Sequence, residues 1–97
     1  MGEELHRGRL DRDGIQALFA DYRDAARVFS VRVKGGFQVQ AQGANDLSLA
    51  LEALLSKAAR GVQVHYLFEG ERWCDTILVG PHGWRVIRSH GEFKQPR

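Results

Sequence analysis

Apolar residues recur along this chain at two periods, and the changes of period together with the turn signals divide it into seven segments. From Asp13 to Ala26, Ile15, Leu18, Phe19 and Tyr22 return every three or four positions, while Asp21, Arg23, Asp24 and Arg27 face away. This predicts an amphipathic helix with Asp11 or Asp13 as its N-cap. The period then drops to two in F-S-V-R-V-K-G-G-F-Q-V-Q-A-Q, the alternation of a half-buried hairpin. A two-residue Gly35-Gly36 turn would set each apolar residue against a polar one. A three-residue loop, Lys34-Gly35-Gly36 with Gly36 left-handed, instead pairs Val33 with Phe37, Val31 with Val39 and Phe29 with Ala41. Ser30, Arg32, Gln38, Gln40 and Gln42 then occupy the outer face, with Lys34 at the loop.

A second helix is expected from Asp46 to Ala59, capped by Asn45 or Asp46, stopped by Gly61, and buried through Leu47, Leu51, Leu54, Leu55 and Ala58. Three strands follow, Val62 to Glu69, Arg72 to Val79 and Trp84 to Ser89. Gly70-Glu71 suits a type II′ turn, which pairs Phe68 with Trp73, Tyr66 with Asp75 and Val64 with Ile77. The G-P-H-G turn sets Val79 opposite Trp84, Ile77 opposite Val86 and Asp75 opposite Arg88. The expected fold is therefore α+β, a two-layer sandwich in the order α-β-β-α-β-β-β, with a five-stranded, mostly antiparallel sheet and two helices on one face. Residues 1–10 and 91–97, polar and weakly patterned, are expected to be flexible tails of one domain spanning 1–97. Periodicity does not fix which outer strand of the meander meets the hairpin.

Composition narrows the functional classes. The chain of 97 residues is 43% hydrophobic and 27% charged, an ordinary globular balance for one domain with one core. No apolar stretch reaches transmembrane length and the first ten residues lack a signal-peptide pattern. With one cysteine there is no internal disulfide, which fits a cytoplasmic location. Fourteen Lys and Arg against twelve Asp and Glu leave a net charge of +2. Residues 1–60 carry nine bases and eight acids, and residues 61–97 carry five and four, so no basic arm or tail stands out and nucleic acid is not the expected partner.

The segment W-C-D-T-I-L-V-G holds the most suggestive chemistry, an aspartate beside the lone cysteine. Strand parity places these two on opposite faces, so they do not act as one pair. Asp75 joins Tyr66, Ile77, Val86 and Trp84 on the more apolar face, where the row Tyr66, Asp75, Arg88 offers either a structural ion pair or, as the rival reading, a small-molecule or proton-transfer site. Cys74 falls on the other face near His65 and Leu67, without a third orienting group for nucleophilic catalysis. His90 projects to the other face and His82 sits in a distant turn, so neither completes a zinc site with it, and no metal or other cofactor is expected. The phosphate-loop, dinucleotide, zinc-protease and nucleophile-elbow motifs are missing.

The sheet face away from the helices carries Leu67, Cys74, Leu78 and Ile87 among Arg32, Arg72 and Arg85, with Thr76 and Gln63. Such a mixed apolar surface calls for a cover. Leu5, Leu10 and Phe93 are candidates from within the chain; a protein partner or a second copy is the expected alternative. The sequence thus supports a non-catalytic accessory or binding domain acting through protein contact on this face, centred on Arg32, Leu67, Cys74, Leu78, Arg85 and Ile87. Weak nucleic-acid binding through Arg32, Lys34, Arg72 and Arg85 is the second alternative. It is disfavoured because the expected outer face has no aromatic residue for bases to stack on.

Overall fold

The computed structural model describes residues 4–35 and 47–90, with side chains from residue 8 onward. Asp11 accepts a hydrogen bond from the Gly14 N–H at 2.8 Å, and this cap starts helix α1, Arg12–Ala25. Helix α2 is Leu47–Leu55. The strands are β1 Glu4–Leu10, β2 Arg27–Lys34, β3 Gly61–Phe68, β4 Glu71–Gly80 and β5 Gly83–His90. They form one antiparallel sheet in the order β1-β5-β4-β3-β2. The class is α+β, with two helices over a five-stranded antiparallel sheet, as expected, and among the described residues Glu4–Leu10 is one of the five strands.

The core lies between the layers. Ile15, Phe19 and Tyr22 of α1, with Leu47, Ala50 and Leu54 of α2, pack on Val31, Val62, Val64, Tyr66, Ile77, Trp84 and Val86 of the sheet. Each sheet residue in that set has the parity that separates core from outer face. Trp84 joins the layers, donating its indole N–H to the Leu54 carbonyl at 3.0 Å and so satisfying both a buried donor and an acceptor at the end of α2.

Four local expectations are revised. The polar stretch from Glu4 to Leu10, expected to fray, is an edge strand paired with β5, because His90 to Trp84 offers it a complete ladder. Helix α2 ends at Leu55, before Gly61: Lys57 takes the left-handed conformation, φ 62°, and Gly61 belongs to β3 instead. The β3–β4 register is displaced by two residues, pairing Phe68 with Glu71, Tyr66 with Trp73 and Val64 with Asp75. The central turn residues are Glu69 and Gly70, both at positive φ (52° and 80°), the requirement of a type I′ turn whose twist matches its strands. A two-residue displacement preserves every inward and outward assignment.

The fourth revision is at Phe29. The β2–β3 register shifts between Val28 and Ser30, so Val28 faces Tyr66 while Ser30 faces His65. The extra residue reverses parity. Phe29, expected on the core side, is 45% exposed, with the Arg72 guanidinium 5.3 Å from its ring centroid on the outer face. Its expected partner Ala41, the rest of the return strand, Gly36, the α2 cap at Asn45 or Asp46, and Phe93 lie outside the described residues. So do the tail 91–97 and the side chain of Leu5.

Candidate functional site

Two places gather chemically capable side chains, one on each side of the sheet. On the helix side, α1 brings Tyr22 over the end of the sheet where β3, β4 and β5 present Tyr66, Asp75 and Arg88. Asp75 is fully buried. The register sets it directly opposite Arg88, which grips it with two parallel hydrogen bonds, Nε to Oδ1 at 2.8 Å and Nη2 to Oδ2 at 2.9 Å. Tyr22 donates to Oδ2 at 2.5 Å, and Tyr66 lies 3.1 Å from both oxygens. The expected row Tyr66, Asp75, Arg88 is therefore assembled, although Tyr66 reaches Asp75 diagonally.

Tyr22 was not among the expected site residues. Its helical spacing identified it only as a core residue, whereas the hydroxyl makes it a second polar link between the two layers, beside that of Trp84. Burial, reinforced by the neighbouring carboxylate, raises the phenol pKa of both Tyr22 and Tyr66, so each stays a hydrogen-bond donor. Hydrogen bonding to Asp75 holds Arg88 protonated. With both its oxygens engaged by arginine and tyrosine and none of its surface in water, Asp75 offers no open lone pair to a substrate proton. Beside it, a cleft of about 290 Å³ opens between α1 and the sheet end, lined by Leu18, Tyr22, Ala26, Tyr66, Phe68 and Arg88, with Asp21 and Ala25 at the helix. Its walls are mainly apolar, and Arg88 spends two of its donors on Asp75.

The other place is the open face. The register places Arg9, Arg85, Leu78, Gly61 and Lys34 in one row across the five strands, with Ile87, Thr76, Gln63 and Arg32 in the next. Ser89, Cys74, His65 and Ser30 follow, and Arg72, Leu67 and Arg27 close the face. All six expected contact residues, Arg32, Leu67, Cys74, Leu78, Arg85 and Ile87, are thus on one surface. Leu78 is exposed and Cys74 is buried among its neighbours.

The charge on that surface is one-sided. Arg9, Arg27, Arg32, Lys34, Arg72 and Arg85 are all exposed, and among the described residues no carboxylate occupies an outward position of the sheet. Asp11, Asp13, Asp21 and Asp24 lie on or beside α1, Glu52 lies on α2, Glu69 sits in a turn, and Glu71 and Asp75 have inward parity. The near-neutral total conceals a cationic sheet face and an acid-rich helical side.

His65 registers this field. Burial first, then Arg32 and Lys34, lower its pKa, favouring neutral imidazole. It faces Cys74 directly, Sγ and Nε2 being 3.7 Å apart. The Cys74 pKa is raised by burial and then by Asp75. Protonated thiol beside neutral imidazole is the inverse of an activated thiolate–imidazolium pair. No group of three His, Cys, Asp or Glu suited to a metal ion occurs among the described residues, and none of their helices is long and apolar enough to cross a membrane.

The chain matches no protein-family model, no curated protein and no solved structure.

Proposed function

We propose that this domain is a non-catalytic binding module whose working surface is the open face of the sheet. The observation that carries the reading is the segregation of charge: six cations and no described carboxylate surround a floor of Leu67, Cys74, Thr76, Leu78 and Ile87. A stability role alone gives no reason to gather like charges, which repel one another on a shared surface. Like charge also narrows the partner. A symmetric dimer through this face would oppose two cationic surfaces, so a partner of opposite charge fits better than a second copy in that arrangement. The single thiol, Cys74, suits a reducing, cytoplasmic setting.

Affinity capture with wild type and with Arg32→Glu/Arg72→Glu tests the reading, with Arg23→Glu on α1 as control and circular dichroism to verify folding. The reading expects the captured species to be lost with the sheet-face variant and kept with the control. Equal capture by all three contradicts it. Asp75 and Arg88, in this account, hold α1 to the sheet and do not act on a substrate.

A further inference from the structure

Resting on the open face as the working surface, we infer that its partner is a single-stranded nucleic acid, with phosphates on the peripheral cations and bases against Phe29, Arg72 and the centre of the sheet. The cations are arranged for this. Arg9 and Arg85 stand at one corner, Lys34 and Arg32 along the opposite edge, and Arg72 with Arg27 at the far end. Between them lie the Gln63 amide, which donates to the Thr76 hydroxyl at 3.4 Å, and the His65 imidazole, polar groups of the chemistry that meets base edges and that add no charge.

The aromatic group needed for stacking is supplied by the bulge. Phe29 is displayed at 45% exposure beneath a guanidinium, and aromatic rings and arginine planes are the two surfaces on which unpaired bases stack. An acidic polypeptide would engage the cations but would draw no stacking from the exposed Phe29 ring. Duplex nucleic acid fits poorly for reasons of width. Five strands span roughly 19 Å at about 4.8 Å per interval, more than the roughly 12 Å of a major groove. The acids around α1 complete the design by orienting the sheet face toward a polyanion during approach.

Fluorescence anisotropy with labelled oligouridylate and oligothymidylate of about ten nucleotides tests the inference. Four phosphate contacts would give a slope of log K against log salt of about −3, and Arg32→Gln/Lys34→Gln would reduce its magnitude by about 1.4. Phe29→Ala should weaken binding roughly 5- to 150-fold with the slope unchanged, and Phe29→Leu, which keeps apolar bulk without a ring, should also weaken it. Arg23→Gln should leave affinity and slope intact. All variants are checked for folding by circular dichroism.

Polyglutamate binding as tightly as the oligonucleotides, with both Phe29 variants neutral, overturns the nucleic-acid assignment and supports an acidic protein on the same face. Failure of both oligonucleotides to bind also overturns it. The open-face reading falls separately, if capture is unchanged by Arg32→Glu/Arg72→Glu.

Discussion

Removing either member of the Asp75–Arg88 pair should destabilise the fold far more than its position at the end of the sheet suggests. In Arg88→Ala, a carboxylate with no exposed surface loses two charge-assisted hydrogen bonds and keeps only the hydroxyls of Tyr22 and Tyr66. Breaking a buried pair from one side costs about 3–5 kcal/mol. The Arg88 side chain is 37% exposed, so water screens part of the attraction, and the expected loss lies at the lower end, about 3 kcal/mol. Asp75→Asn keeps an acceptor for the tyrosines but turns off the charge facing Arg88, with a loss of similar size. Since the two variants remove the same interaction, the double variant should lose about 2–3 kcal/mol less than the sum of the singles.

Urea unfolding followed by fluorescence of Trp73 and Trp84 measures all three. With a slope of about 1–3 kcal/mol per molar urea, each single variant should lower the midpoint by roughly 1–3 M. Additive losses, or a single loss below about 1 kcal/mol, would refute the coupling and leave Asp75 available for another role.

Three further outcomes follow from the backbone and from His65. Glu69→Asn should raise the melting temperature, by about 0.4–1 kcal/mol of stability, because Glu69 holds a left-handed conformation that asparagine tolerates better; an unchanged or lower melting temperature contradicts the type I′ assignment. Gly83→Ala should cost about 1–3 kcal/mol in urea unfolding, because a Cβ there would lie 2.7 Å from the Leu10 carbonyl oxygen at φ +147°; a neutral result would mean that the β1–β5 edge is looser than described. The folded His65 pKa lies below its unfolded value of 6.5, so between the two the unfolded chain binds more protons and stability rises with pH. The melting temperature of wild type should therefore climb more than that of His65→Gln from about pH 5 to pH 7, and equal slopes would contradict the lowered pKa.

Much of this molecule could be read from its alternation. Parity alone put Asp75 with Arg88 on the core side and Cys74 with Leu78 outward, and it survived a two-residue error in the β3–β4 pairing because that displacement is a whole pleat period. Phe29 was misassigned because a bulge opposite β3 inserts one residue, and nothing in the local string V-F-S announces it. Glu4–Leu10 gave little strand signal because an edge strand with one partner needs little apolar pattern of its own. Tyr22 was legible as core, but its hydroxyl's partner stands 53 residues away in sequence. The charge segregation was legible only in part: parity put Arg32, Arg72 and Arg85 outward, while Arg9 was read in a tail and Arg27 beside α1. Summing charges along the chain gives near neutrality, and the asymmetry emerges only when strand parity is combined with the side that the helices cover.

The central claim is that the open sheet face does the binding, and amide chemical-shift mapping during titration with the single-stranded oligonucleotide tests it most directly. The account predicts changes concentrated at Arg32, His65, Arg72, Cys74 and Arg85 and around Phe29, with α1 unaffected. Changes centred on α1 or on the cleft beside Tyr22 and Arg88 would contradict it.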